Sequence, residues 1–374
     1  MKLRLITEAG DLEGKYVIVR SSLNVPLVDG VVRDDFRIKN ALPTLQYLVG
    51  QGARVMLISH IGRDPEEILK PVFDELVKSL PITWGGSCLS EAFVEKHSLI
   101  NDGQIIMAEN MRQHEGEKEN SSSFAKELAK FGELYVNDAF AEAHREQASV
   151  HALALQLPSY AGLQLATEVE HLEKALTPEH PALFMLGGAK FETKMPLVEK
   201  FLDLYDHIYI GGALANDVLK AQGFPVGKSL ISEISLSDSQ IIKHPKLLPT
   251  LDVVVDGPAG RRTVHPKDVG PEDVIYDCGP QTTDMLITYI EKAKMTLWNG
   301  PFGLFEKGYT ESTEKVAKHL AAAHSYSVLG GGDTVAAIAT LGINDQFDFV
   351  STGGGAMLAF LEKGTTSAID LLRE

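Results

Sequence analysis

Two kinds of residue in this sequence are placed to do chemistry, and each belongs to one half of the chain. The first half gathers bases: Arg20, Arg37, His60 with Arg63, Arg112, and His144 with Arg145. Guanidinium groups bind phosphate or carboxylate through paired N–H donors, so a small, multiply charged anion is the natural guest. Singly, each base reads as a solvated surface residue. Together they recur just after short apolar runs. The second half gathers glycines in the corresponding places: Gly187-Gly188, Gly211-Gly212, Asp256-Gly257, Asp277-Cys278-Gly279, Asn299-Gly300-Pro301, Gly330-Gly331-Gly332-Asp333-Thr334 and Ser351-Thr352-Gly353-Gly354-Gly355. Glycine lets backbone approach a ligand closely, and N–H groups at helix starts hold anions. One such turn is only a turn. Seven in series along one sheet edge read as a phosphate or nucleotide site.

The elements that must position these residues are short apolar runs alternating with amphipathic stretches. The runs are Tyr16–Arg20, Arg54–Ser59, Gln104–Ala108 and Leu134–Asn137, then Ala182–Leu186, His207–Ile210, Asp252–Val255, Val274–Tyr276, Met295–Trp298, Ser327–Leu329 and Phe347–Val350. Helical stretches such as Asn40–Gly50, Phe124–Lys130 and Leu197–Asp203 fall between them. This alternation predicts parallel βαβ units with buried strands, an α/β fold in which ligands bind beyond the carboxyl ends of the strands. Tyr160–Thr177 carries Leu165, Val169, Leu172 and Leu176 at the spacing of one helix face, with Pro158 before it and Pro178 and Pro181 after. It reads as a stiff helix between two α/β halves; the other reading is a crossover helix in a single sheet.

Composition narrows the function classes. The chain has 374 residues, about two domains' worth, with 35 Lys+Arg against 51 Asp+Glu and a net charge of −16. That acidity argues against nucleic acid or anionic membrane as a partner. No run approaches the length of a membrane span, the start Met1–Glu8 has no apolar leader core, and Cys88 and Cys278 form no metal or disulfide pattern, so a cytoplasmic setting is expected. Gly223-Phe-Pro-Val-Gly227-Lys228-Ser229 imitates a phosphate-binding loop, but it has three residues between its glycines instead of four and follows a helical stretch. No strand leads into G-x-G-x-x-G, and the cluster Glu109–Glu115 lacks metal-ligand spacing.

The ordered blocks resemble the phosphoglycerate kinase family almost from end to end. They are Arg20-Ser21-Ser22-Leu23-Asn24-Val25-Pro26-Leu27, Arg37-Ile38, Ser59-His60-Ile61-Gly62-Arg63, Glu109-Asn110-Met111-Arg112 and Tyr135–Phe140 with His144-Arg145. In the second half they are Gly187-Gly188-Ala189-Lys190 with Lys194, Trp298-Asn299-Gly300-Pro301 with Phe305-Glu306, Gly330–Thr334 and Ser351–Ala356. The resemblance implies two Rossmann-like domains, each a mainly parallel sheet flanked by helices: 1–158 for phosphoglycerate and 178–357 for nucleotide. Segment 159–177 would join them and the tail 358–374 would pack back on the first. It implies reversible phosphoryl transfer between 1,3-bisphosphoglycerate with ADP and 3-phosphoglycerate with ATP, by a cytoplasmic, glycolytic monomer using Mg²⁺. Ser22, Leu23, Asn24, Arg37, His60, Ile61, Gly62, Arg63, Arg112, His144 and Arg145 would bind the glycerate. Gly187, Gly188, Lys190, Lys194, Gly211, Asn299, Pro301, Glu306, Gly331, Gly332, Asp333 and Thr334 would bind nucleotide, with Asp333 on Mg²⁺. Arg37, Lys190 and the helix start at Gly353-Gly354 would meet the phosphoryl group in flight.

One departure stands out. The family's R-V-D-F-N is Arg20-Ser21-Ser22-Leu23-Asn24 here, so an acid that hydrogen-bonds glycerate is a serine. Losing an acid among arginines predicts a more positive site and altered glycerate affinity. Gln113, Asp64 and Ser312-Thr313 are lesser departures. Alternatives are a paralogue with another phosphorylated acid, a nucleotide-binding protein without catalysis, a simple anion-binding module, or a regulatory protein. Retention of Arg37, Lys190, Lys194, Glu306 and Asp333 favours a working kinase.

Overall fold

The computed structural model describes residues 2–189, 191, 194–233, 236 and 239–374. Among these the chain divides into two compact units, Met1–Glu170 with Thr365–Glu374, and His171–Gly364. In the first unit the strands are β1 (Tyr16–Ser21), β2 (Leu27–Val28), β3 (Val31–Val32), β4 (Arg54–Ile58), β5 (Ile82–Gly86), β6 (Ile105–Ala108), β7 (Leu134–Asp138) and β8 (Ser159–Ala161). Six of them form a parallel sheet in the order β5-β6-β4-β1-β7-β8, while β2 and β3 make a small hairpin.

The central strands are apolar on both faces because helices cover both. Val17, Val19, Val55, Leu57, Ile105, Met107 and Val136 enter one core, and their neighbours Ile18, Met56, Ile58, Ile106, Ala108 and Tyr135 enter the other. That period of two within an unbroken apolar run is the mark of a doubly covered sheet. Truncating Leu57 or Met56, both fully buried, to alanine would cost about 2–5 kcal/mol. The register sets the site. Arg20 lies opposite Ile58 on one side and Asn137 on the other, so β1, β4 and β7 finish level and the segments that follow them lie side by side.

The second unit holds β9 (Ala182–Leu186), β10 (His207–Ile210), β11 (Val253–Asp256), β12 (Arg262–Val264), β13 (Val274–Cys278), β14 (Met295–Asn299), β15 (Tyr326–Gly330) and β16 (Phe349–Val350). Its parallel sheet has the order β10-β9-β14-β15-β16. The expectation of seven glycine turns along one edge is corrected here. β11 and β13 pair antiparallel in a separate three-stranded sheet with β12, leaving five turns on the parallel edge. An apolar run reveals burial, not its pairing partner.

The long helix spans Leu163–Leu176 and buries Leu165, Val169, Leu172 and Ala175. It starts later than the sequence predicts, because Tyr160 and Ala161 extend β8 beside β7. Its first turn is anchored in the first unit: Leu163 N–H donates to Thr44 Oγ1 at 2.9 Å and Leu165 N–H to Asp138 Oδ1 at 3.0 Å. Burial raises the Asp138 carboxyl to about 6 against the pull of the Leu165 N–H, the Thr44 hydroxyl and the Gln164 N–H. The boundary between the units, Glu170 to His171, falls within this helix.

Candidate active site

In the first unit the segments after β1, β4, β6 and β7, together with the start of helix Phe36–Gly50, form one hydrogen-bonded edge. Arg37 Nη1 donates to the Asn24 carbonyl at 2.6 Å, and Asn24 Oδ1 accepts from Gly62 N–H at 2.9 Å. Arg112, on the 3-10 turn Met111–Gln113, donates to the Gly62 carbonyl. Beneath this ring Arg20 is fully buried. It donates to Ser149 Oγ at 3.0 Å, to the Ser21 carbonyl at 2.5 Å and to His60 Nδ1 at 2.8 Å. Arg20 is therefore scaffold, whereas Arg63 and Arg145 are exposed and Arg37, Arg112 and His144 half-buried. Leu23 and Ile61 place their side chains in the core and offer only backbone: Leu23 N–H donates to Ser59 Oγ, and Ile61 is tied by both backbone groups to Asn110.

The crowding of bases has electrostatic consequences. Burial lowers the Arg112 guanidinium below its ordinary range, and Arg145 and Arg20 push the same way. Burial pulls His60 down to about 3 despite the nearby Glu142 carboxylate, and Arg20, Arg112 and Arg145 add to it, so the ring is neutral at pH 7. The expected excess of positive charge is corrected by a residue the sequence reading missed. Glu142 ends the 3-10 turn Phe140–Glu142 and is buried, and its Oε2 accepts a hydrogen bond from Ser22 Oγ. Burial works to raise this carboxyl, but the Arg20 and Arg37 cations and the Ser22 hydroxyl pull the other way, and it is held below the usual value.

In the second unit the parallel edge is built mainly from backbone. Asn299 lies opposite Leu186 and Gly330, which sets Gly187, Gly300 and Gly331 level. Gly187 N–H donates to the Asn299 carbonyl at 2.8 Å, and Gly300 N–H to Thr334 Oγ1 at 2.7 Å. Two helices begin here, Gly332–Ala339 and Gly354–Lys363, and a Cβ added at Gly354 would stand 2.8 Å from Gly331 Cα. Their unpaired N–H groups and dipoles thus converge on one place suited to anions. Lys194 Nζ donates to the Gly187 carbonyl at 2.6 Å. Burial lowers its ammonium to about 8, with Asp333 opposing. Lys190, a residue singled out from the sequence, lies outside the described residues.

Beside this edge is a cavity of about 260 Å³ lined by Ile275, Tyr276, Phe302, Leu304 and Phe305, with Gly188, Pro301, Glu306 and Asp333 also at its walls. Gly212 lines it, whereas Gly211, singled out from the sequence, packs behind Phe302, which a Cβ there would strike. Asn216 also lines it; its Nδ2 donates to the Leu230 carbonyl, and its buried Oδ1 has no partner among the described residues. Asn216 escaped the sequence reading because it sits inside helix Leu214–Ala221 rather than at a strand end. No group of three or more metal-ligating side chains occurs among the described residues. Asp333 alone suits a cation that takes most of its ligands from phosphate and water, as Mg²⁺ does.

The family model described as phosphoglycerate kinase matches residues 6–364. The chain is 38% identical to a phosphoglycerate kinase of Leptospira biflexa over 394 aligned residues, covering 100% of this chain and 98% of that protein. It is 39% identical to one of Dictyoglomus turgidum, covering 97% of each. A solved phosphoglycerate kinase of Coxiella burnetii superposes with a TM-score of 0.85 at 36% identity, and one of Pyrococcus horikoshii with 0.86 at 30%, each over 99% of this chain and 98% of the other.

Proposed function

We infer the roles of individual residues from one premise: the chain belongs to the phosphoglycerate kinase family. It is a phosphotransferase with a carboxyl group as acceptor, using phosphoglycerate and adenine nucleotide. The attacking 3-phosphoglycerate carboxylate is ionised at pH 7, so no general base is needed. Catalysis is then positioning and charge stabilisation.

The strand edge of the first unit takes the glycerate. Arg63, Arg112, His144 and Arg145 offer donors to its phosphate and carboxyl, with Asn24 and Gly62 backing them. Arg37 faces the carboxylate oxygens and the phosphoryl group. The glycine edge of the second unit takes the nucleotide: base in the apolar cavity, ribose at Glu306, phosphates over Gly187, Gly188, Lys194, Gly331, Gly332 and Thr334. Asn299 and Pro301 shape the pocket. Asp333 would hold Mg²⁺ against the nucleotide phosphates; the ion would neutralise phosphate charge there. Lys190 and the N–H group of Gly354 complete the charge stabilisation, whereas the Gly353 N–H, also expected there, donates to Ser351 Oγ at 3.2 Å. Because the two substrates belong to different units, transfer requires closure about helix Leu163–Leu176, which also excludes water from the acyl phosphate. Scattering with both substrates should report compaction, and none would refute the hinge. We also propose a cytoplasmic monomer.

The observation that carries this reading is the run of hydrogen bonds linking Arg37, Asn24, Gly62 and Arg112, which gathers two guanidinium groups at one strand edge and so suits an anion there. A coupled assay with 3-phosphoglycerate and Mg-ATP tests it. Turnover is expected in the unmodified protein, with losses of roughly 10²–10⁴-fold in Arg37→Ala and Lys190→Ala. Absence of turnover in the unmodified protein, or full activity in Arg37→Ala, would overturn it.

A further inference from the structure

We propose that Glu142 is the acidic residue of the glycerate site, supplied from the turn after β7 in place of an acid at position 22, and that Ser22 serves to orient it. Glu142 is a positioning residue in this account: it acts through Arg20, Arg37 and His60. The inference rests on the reading of the first unit's strand edge as the glycerate site.

Three observations carry it. First, the carboxylate is where an acid at the end of β1 would act. Ser22 follows β1 directly, and its hydroxyl donates to Glu142 Oε2 across 120 residues of sequence. Second, the carboxylate has a specific orientation. Its other oxygen, Oε1, stands 3.9 Å from His60 Nε2, with both side chains at most 3% exposed. His60 Nδ1 accepts from Arg20, so the ring proton is on Nε2, which is buried and has no hydrogen-bond partner among the described residues. Arg20 thus holds the ring at Nδ1, and the imidazole N–H faces Glu142 across a gap, where the carboxylate favours that orientation. Third, a buried carboxylate needs compensation, and the cations near Glu142 are those of the site: Arg20 beneath it and Arg37 at its rim.

Ser22 and Glu142 thus form a matched pair. A neutral donor at position 22 is complementary to the carboxylate at 142. An aspartate at 22 would set two carboxylates against each other in a buried place, where one must neutralise or move away. The acid has been transposed rather than lost, and the two positions should exchange roles.

The test is a double-mutant cycle of Ser22→Asp and Glu142→Ser, read as KM for 3-phosphoglycerate, KM for Mg-ATP, kcat and thermal midpoint. Each single change is expected to raise KM for 3-phosphoglycerate by about 10-fold or more, with KM for Mg-ATP within about 2-fold. The double variant restores the acid at the other position, and its KM should return to within about 3-fold of the unmodified enzyme. Glu142→Gln guards against simple unfolding: it keeps size and the hydrogen bond from Ser22 but removes the charge. A raised glycerate KM at unchanged thermal midpoint supports the proposal. An unchanged glycerate KM in Glu142→Gln, or a double variant as impaired as the product of the two singles, overturns it. Arg37→Ala separates the two levels of failure. If it is harmless, the site itself is misplaced; if it is damaging while Glu142→Gln is not, only the role of Glu142 falls.

Discussion

The two strand edges of this molecule both gather groups suited to anions, and they are built in opposite ways. The first unit presents side chains: arginines and histidines on three loops and a helix, steadied by a buried layer of Arg20, Ser59, Ser149 and Glu142. The second presents backbone: glycine turns and two helix starts, with Lys194 and Asp333 at the margin. A side-chain site concentrates like charge, so it needs an acid beneath it to be stable. A backbone site carries only partial charges and needs no such balance, but its donors sit where a Cβ does not fit. The first kind is set by electrostatics and is adjustable by exchange of residues. The second is set by steric exclusion and is not.

Glycine substitutions test that contrast most sharply. Gly300 has φ +96°, and an added Cβ would stand 2.8 Å from Gly187 Cα, an atom of the adjoining strand end that cannot yield. Gly300→Ala is expected to weaken nucleotide binding by about 100-fold or more, since strained backbone alone costs on the order of 1–3 kcal/mol. Calorimetric titration with ADP measures it. Gly62 in the first unit has φ +63°, but the atoms nearest its added Cβ are those of the Glu67 carboxylate, the far end of a side chain that can swing away at the loss of its bonds from Arg63 and Asp64 N–H. Gly62→Ala pays mainly the left-handed conformation, about 1 kcal/mol, so KM for glycerate should rise only several-fold. Equal losses in both variants would erase the distinction between the two edges.

The same contrast explains what the sequence made legible. The glycine edge was readable because a backbone site leaves a local signature: an apolar strand, then glycines, then a helix. The bases of the first edge were readable for the same reason, all but Arg37 closing or following a strand. Their support was not. Ser22 and Glu142 touch across 120 residues, and nothing local in Phe140–Glu142 distinguishes a buried acid from a solvated one. Strand β5, Ile82–Gly86, was passed over because its two glycines and exposed threonine break the apolar pattern. The assignment of β11 and β13 to a separate antiparallel sheet depends on partners that no single segment specifies.

Lys194 sharpens the account of the second edge. With its ammonium lowered to about 8 by burial, the free enzyme carries it protonated at pH 7 and about half protonated at pH 8. Phosphate oxygens favour the cation, so nucleotide binding near pH 8 should draw a proton from solution. Titrations in two buffers of different ionisation enthalpy should find uptake of about half a proton at pH 8 and almost none at pH 6.5. Lys194→Met should abolish the uptake. The stability sign is separate: the folded value lies below that of the unfolded chain, 10.5, so this group makes stability rise with pH between about 8 and 10.5.

His60 gives the smallest effect and the finest test of the first edge. Its ring is held at about 3 by burial, with neighbouring arginines adding to that pressure, against 6.5 in the unfolded chain. Between those values the unfolded state binds the extra proton and the folded state does not. Folding stability is therefore lost as pH falls through that window, by at most about 1.4 kcal/mol per pH unit. His60→Asn keeps a polar side chain of similar reach but cannot titrate. Its thermal midpoint should fall less steeply than that of the unmodified protein between pH 6.5 and 4.5, while the two stay within a few degrees at pH 7.5. Carbon-13 shifts of the ring should stay those of a neutral imidazole down to about pH 4.5. Parallel acid limbs, or a ring that titrates near 6, would mean that Glu142 outweighs burial and the arginines. The layer beneath the glycerate edge would then hold an ion pair rather than a neutral ring facing a carboxylate.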